Sequence, residues 1–126
     1  MADALRLGAG ALISAAGTAL VFSPRAVAAT LGRPYETVSQ QINMRASWGG
    51  AVLGLGLFAL WSAPWRPPGA AALRLVACLM VGIGAARLVG FVLDGRPDTA
   101  QWVWMFAEVL IAAACGVALA RGVGGP

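Results

Sequence analysis

Apolar residues form four long runs along the chain, and these runs are separated by three stretches that are more polar. A helix that crosses a bilayer needs roughly 20 mainly apolar residues, and each run approaches that length. We therefore expect an all-α fold, in which residues 1–126 form a single domain with four transmembrane helices packed as an antiparallel bundle. The predicted helices cover about residues 4–22, 44–62, 71–93 and 100–120.

Proline and glycine define the connections between these helices. The first helix should end at Ser23-Pro24, because proline disfavours helical geometry in the residue before it. The connection 24–43 is long and polar, and its segment "SPRAVAATLG" can form a short interfacial helix that stops at Gly32. The segments "APWRPPG" and "DGRPDT" predict turns before and after the third helix.

The start of the chain has a basic residue, an apolar run and an "AVAA" stretch, as cleaved signal peptides do. The run from about Leu5 to Phe22 is longer than the roughly 7 to 15 residues of a signal-peptide core. We therefore expect the first helix to be retained.

Composition supports a membrane location. Hydrophobic residues make up 60% of the chain and charged residues 11%, whereas soluble domains carry about 25% charged residues. The lipid bilayer is thus the expected environment. The formal charge of +4 is spread along the chain between apolar runs, and nucleic-acid binding would need a clustered basic face, so we expect no nucleic-acid partner.

The basic residues also predict an orientation and a source. We call the side of both chain termini face A, and the side of the 24–43 connection and the "DGRPDT" turn face B. Face A holds Arg6, Arg66, Arg74 and Arg121, and face B holds Arg25, Arg33 and Arg96, with Arg45 at its edge. Basic residues favour the cytoplasmic side, which places both termini in the cytoplasm. Arginine without lysine, beside abundant alanine, glycine and valine, suggests a GC-rich bacterium and hence its inner membrane.

The chain contains no histidine, and Cys78 and Cys115 lie in apolar runs without a C-x-x-C motif. These features argue against haem, copper or zinc ligation and against a Ser-His or Cys-His nucleophile, so we expect no metal and no cofactor. Glu108 lacks a second acid-base partner, so we do not expect an enzyme.

Two charges interrupt the last two apolar runs. Arg87 precedes Asp94 by seven residues and so lies roughly 10 Å below face B, while Glu108 lies roughly 13 Å below it. An unpaired charge in a membrane helix costs about 2.5 to 3.5 kcal/mol on insertion scales. The matching depths therefore predict that Arg87 and Glu108 pair.

Arg45, near the face B end of the second helix, leaves two arginines for this one glutamate. The surplus charge has two predicted solutions: Arg45 reaches lipid phosphate, or an anionic group lies between Arg45 and Arg87. Asp94 can also neutralise Arg87, because the two are seven residues apart on one helix face.

Small residues form stripes in the second and third helices, at Gly50 and Gly54 and at Gly82, Ala86 and Gly90. Such stripes let helix backbones approach closely, either within the chain or against another protein.

The stretches "NMRASWGGAVLGLGLFAL" and "AARLVGFVLDGRP", followed by the lone Glu108, resemble a bacterial family of small four-helix membrane proteins classed as a domain of unknown function. The resemblance implies a four-helix fold and no assigned activity. It also implies a shared polar motif at Arg45, Gly49, Arg87, Gly90, Asp94, Gly95, Pro97 and Glu108.

Three functions remain open from the sequence. The first is a structural or accessory membrane protein, whose partner is a larger membrane complex or a second copy of the chain. The second is a binder or carrier of a small lipophilic or anionic ligand, and the third is proton-coupled transport by an oligomer. The residues predicted to form the ligand-binding or structural cluster are Arg45, Trp48, Arg87, Asp94, Trp104 and Glu108.

Overall fold

A computed structural model describes residues 1–61 and 68–123, and these residues contain helices and no strand. The all-α prediction is confirmed for this part of the chain. The helices are α1 Ala2–Phe22, α2 Pro24–Thr30, α3 Val38–Met44, a π-helical segment Arg45–Gly50, α4 Ala51–Trp61, α5 Pro68–Leu93 and α6 Thr99–Ala120.

Three helical stretches are long and apolar enough to cross a membrane, namely Asp3–Phe22, Gly69–Leu93 and Thr99–Ala120. They correspond to three of the four predicted spans, and their length and composition suggest a membrane protein. The predicted span 44–62 is instead divided into the end of α3, the π-helical segment and α4. Its backbone nevertheless stays helical throughout, because Met44 and Ala51 on either side of the π turn both have helical dihedral angles.

The connection after α1 contains the short helix that its sequence predicts. Pro24 is the first residue of α2, where a missing backbone N–H costs nothing. Gly32 follows with a φ of 62°, a left-handed conformation that glycine adopts without strain. The chain therefore turns at the predicted stop.

The next helix begins six residues earlier than predicted, at Val38 rather than Met44. Thr37 and Gln40 form a capping box, in which the threonine side chain accepts from the Gln40 N–H and the glutamine side chain accepts from the Thr37 N–H. This box satisfies backbone donors at the helix start. As a result, Gln41 and Asn43 are helical rather than part of the predicted loop.

The long helices lie in a row in which sequence neighbours run in opposite directions. Arg6, near the start of α1, donates to the Ala59 and Leu60 carbonyls at the end of α4. Phe91, near the end of α5, packs against Trp102, near the start of α6, with ring centroids 4.9 Å apart and ring planes tilted by 54°. The middle of the row is formed by α4 and α5, and α1 and α6 flank it.

Glycines allow the two central helices to touch through their backbones. A Cβ atom on Gly50 would lie 2.6 Å from the Gly82 carbonyl oxygen, and one on Gly54 would lie 2.6 Å from that of Cys78. Both distances are shorter than van der Waals contact. The small-residue stripes of the second and third helices therefore pack against each other within the chain.

Apolar side chains cover the outside of the row. On α6 only a narrow stripe is buried, whose members are seven residues apart: Gln101, Glu108 and Cys115. The opposite side exposes large residues such as Phe106 and Leu110. Cys78 and Cys115 are both buried and free. The predicted turn at 63–69, including Trp65, lies mostly outside the described residues.

Candidate functional site

Arg87 of α5 and Glu108 of α6 form a bidentate ion pair. The guanidinium donates from Nη2 to Oε1 at 2.6 Å and from Nε to Oε2 at 3.0 Å. Arg87 is only 3% exposed and Glu108 6%. The structure thus joins the two residues whose depths match in the sequence. Planar bidentate contacts of this kind are among the stronger hydrogen bonds in proteins.

The third guanidinium nitrogen of Arg87 ties one further helix, α3, to this pair and makes a second contact with α6. Nη1 donates to Asn43 Oδ1 of α3 at 3.1 Å and to Gln101 Oε1 of α6. Gln101, 3% exposed, in turn donates from Nε2 to the Ser39 hydroxyl at 2.9 Å. One arginine therefore connects α3, α5 and α6.

Sequence reasoning missed Gln101. A signal was available, because Gln101 precedes Glu108 by seven residues and so lies two turns away on the same helix face.

Arg45 pairs with Asp94 and not with Glu108. Nε donates to Asp94 Oδ2 at 2.9 Å, and Nη2 donates to Oδ1. Nη1 donates to the Val21 carbonyl, one of the last four of α1, which have no partner within their own helix. The side chains of Arg45 and Asp94 are 4% and 2% exposed. A second donor, Gln41 Nε2, lies 2.7 Å from Asp94 Oδ1.

This second pair corrects two expectations. Asp94 does not neutralise Arg87, although the two are seven residues apart. Arg87 lies in α5 and points to α6, whereas Asp94 lies just beyond the end of α5 and faces α3. Nor is there a surplus charge, because each buried arginine of the cluster has its own carboxylate. We call Arg45, Asp94, Arg87 and Glu108, with the amides of Gln41, Asn43 and Gln101, the polar cluster.

The two tryptophans predicted to line a pocket with these charges lie outside the polar cluster. Trp48 is 48% exposed and Trp104 is 56% exposed. Trp104, three residues after Gln101 and four before Glu108, lies beside the buried stripe of α6, and its side chain is exposed. Arg45 and Glu108 also line separate cavities, of about 420 and 340 Å³.

Polar contacts continue from the cluster to the turn between α5 and α6. Asp98 caps α6 by accepting from the Gln101 N–H at 2.9 Å. A hydrogen bond from the Ser39 side chain is the main cause that lowers the pKa of Asp98, and the hydrogen bond from the Gln101 backbone N–H is the next. Since Ser39 also accepts from the Gln101 side chain, the exposed turn is linked through Gln101 to Arg87.

The geometry of the cluster determines what it can do. All three guanidinium nitrogens of Arg87 donate to residues of other helices. Those of Arg45 donate to Asp94, just after α5, and to the last turn of α1. Within residues 1–61 and 68–123 no group of three histidine, cysteine or acidic residues could hold a metal ion. The arrangement is suited to fixing helices relative to one another.

Comparison with protein families identifies the chain. The model of the family described as Domain of unknown function (DUF4345) matches residues 3–119, so the chain belongs to that family. No curated protein and no solved structure matches it.

Proposed function

We propose that this member of a family without an assigned function is a small integral membrane protein of structural or accessory type. The observation that carries the proposal is that both buried arginines of the polar cluster are paired with carboxylates and fully bonded. A charged side chain that binds a ligand or moves protons must at some stage exchange its protein partner for the ligand or the proton. A closed set of contacts instead fixes the register of the helices.

We further propose that the chain crosses the bacterial inner membrane four times. The continuous helix from Val38 to Trp61 supports a fourth crossing, because about 20 helical residues span the hydrocarbon core. The helix α2 then lies on the membrane surface at face B. The distribution of arginines supports cytoplasmic termini, as the positive-inside rule requires.

Association with other membrane components is part of the proposal. The two flanking helices pack on one side only, and α6 exposes large apolar residues such as Phe106 and Leu110 along its length. Lipid can cover such a surface, and so can a helix of another protein or of a second copy of the chain.

A tagged chain, cross-linked in its native membranes and purified in mild detergent, tests this function. We expect defined membrane proteins, or a second copy of the chain, to copurify. The double variant Arg87→Leu with Glu108→Met should retain them, because a buried ion pair can be replaced by apolar residues without loss of the fold. A chain that always purifies alone would contradict the proposal, as would a folded double variant that loses its partners.

The two alternatives receive less support from the geometry. A ligand held between Arg45 and Arg87 needs the surplus charge that Asp94 removes. For proton transport, the chain of polar side chains runs from Asp98 near face B to Glu108, and on α6 the next buried residue beyond Glu108 is Cys115.

A further inference from the structure

A groove at face B borders the polar cluster, with which it shares Asn43, and lies between the loop before α3 and one side of the following helix. Its volume is about 280 Å³. The helix contributes residues at intervals of three and four, which places them on one face. The lining residues are Arg33, Pro34, Tyr35, Gln40, Asn43, Met44, Ser47 and Trp48.

The two amides in this groove have their oxygens occupied. Gln40 Oε1 accepts from the backbone N–H groups of Glu36 at 2.7 Å and Thr37 at 3.2 Å. Asn43 Oδ1 accepts from Arg87 at 3.1 Å. Within the described residues the NH₂ group of neither amide makes a hydrogen bond, so both NH₂ groups can donate to another molecule.

Arg33 and Ser47 add to this set of donors. Both are exposed, and within the described residues neither makes an ion pair or a side-chain hydrogen bond. Among the residues that the structure describes, no carboxylate lines the groove, and Glu36, the acidic residue nearest to Arg33 in sequence, is not part of it. An arginine beside two NH₂ groups and a hydroxyl favours an anionic ligand with several acceptor oxygens.

The other half of the groove is apolar. Pro34, Met44 and the ring of Trp48 line it, and Trp48 is half exposed. Tryptophan and tyrosine concentrate where the hydrocarbon core of a bilayer meets the headgroups. The groove thus combines donors for an anion with a wall for a hydrocarbon chain.

We propose that this groove binds a phosphate group, with Arg33, Gln40, Asn43 and Ser47 as its donors. A phospholipid headgroup and a free phosphate ion both present this chemistry. The apolar wall favours the phospholipid, whose acyl chain would lie along Met44 and Trp48. The site is distinct from the structural role, because none of the four residues of the two ion pairs lines the groove. Its one link to them is Asn43, which accepts from Arg87.

Binding to purified protein in a neutral detergent tests the site. Native mass spectrometry would measure binding of phosphatidylglycerol and of a glucosyl diacylglycerol that lacks phosphate. Thermal unfolding would measure stabilisation by sodium phosphate. The variants are Arg33→Gln and Ser47→Ala, and Arg96→Gln is the matched control, because Arg96 is an exposed arginine of face B outside the groove.

We expect phosphatidylglycerol to bind more tightly than the glucosyl lipid, and Arg33→Gln to weaken that binding by about tenfold or more. Ser47→Ala should weaken it less, and Arg96→Gln should leave it unchanged. Stabilisation by sodium phosphate that depends on Arg33 would show that the site accepts free phosphate, and its absence would assign the site to lipid.

Three results would overturn the proposal. The first is equal binding of the two lipids to the parent chain. The second is binding to Arg33→Gln within about twofold of the parent. The third is an equal loss in Arg96→Gln and Arg33→Gln, which would indicate attraction to the surface as a whole. Circular dichroism of each variant shows that a loss of binding does not come from unfolding.

Discussion

Replacing Glu108 by glutamine removes one charge from the polar cluster and leaves its shape nearly unchanged. Arg87, 3% exposed, would then keep only neutral acceptors, namely the oxygens of Asn43 and Gln101 and of the new amide. A buried guanidinium without a carboxylate is the situation that the paired structure avoids. We expect Glu108→Gln to destabilise the protein strongly.

The size of the effect follows from the geometry of the pair. Two unit charges about 4 Å apart attract by about 4 kcal/mol at the effective dielectric constant of about 20 that describes protein sites. Removal of one partner of a buried pair costs about 3 to 5 kcal/mol in soluble proteins. We therefore expect a loss of about 3 to 4 kcal/mol for Glu108→Gln. Glu36→Gln, the same change at an exposed site, should cost less than about 0.5 kcal/mol.

Unfolding of the purified protein in mixed micelles with increasing dodecyl sulfate measures these differences, with tryptophan fluorescence as the signal. The double variant Arg87→Leu with Glu108→Met should recover most of the lost stability, because it leaves no buried charge unpaired. If Glu108→Gln were as stable as Glu36→Gln, the charge of Glu108 would not stabilise the fold. A double variant less stable than Glu108→Gln alone would show that the unpaired charge of Arg87 is not the cause of the loss.

Two further predictions concern helix packing and acid stability. Gly82→Ala should destabilise the protein by about 1 to 3 kcal/mol, because the added Cβ would lie 2.7 Å from the Gly54 backbone nitrogen. In Gly84→Ala, on the same helix, the added Cβ would meet its nearest atom at 3.7 Å, so this variant should be neutral or stabilising in the same mixed-micelle unfolding assay; equal losses in the two variants would contradict this packing. Because the fold lowers the pKa of Asp98, this carboxylate stabilises the protein above its ordinary pKa of 3.8, and that contribution is lost as the pH falls through the lowered value. In an acid titration followed by circular dichroism, Asp98→Asn and Ser39→Ala should therefore lose less stability than the parent chain as the pH falls below 3.8. Titration curves identical to that of the parent would contradict the hydrogen bond that lowers the pKa of Asp98.

The sequence predicts those features that depend on length and depth. The apolar runs give the long helices α1, α5 and α6 to within a few residues. The ion pair of Arg87 with Glu108 follows from their similar distances to one turn, because two helices joined by a short turn must run side by side. The length of the helices and this ion pair can both be predicted from the rise of a helix per residue and from the free energy of burying a charge.

Other features depend on contacts that spacing alone does not define. Spacing along the sequence does not select Arg45 as the partner of Asp94, because their contact depends on how α3 and the π-helical segment approach the end of α5. The π turn at Arg45–Gly50 has no simple sequence signal. The early start of α3 did have one, because Thr37 and Gln40 have the spacing of a capping box.

Double-mutant cycles measure whether Arg45 and Arg87, the two buried arginines of the polar cluster, have separate carboxylate partners. Unfolding free energies in mixed micelles would be measured for cycles that remove Arg45 with Asp94, Arg87 with Glu108, and Arg45 with Glu108. We predict coupling energies above about 1 kcal/mol for the first two pairs and within about 0.5 kcal/mol of zero for the crossed pair. A coupling of Arg45 to Glu108 as large as its coupling to Asp94 would contradict the account.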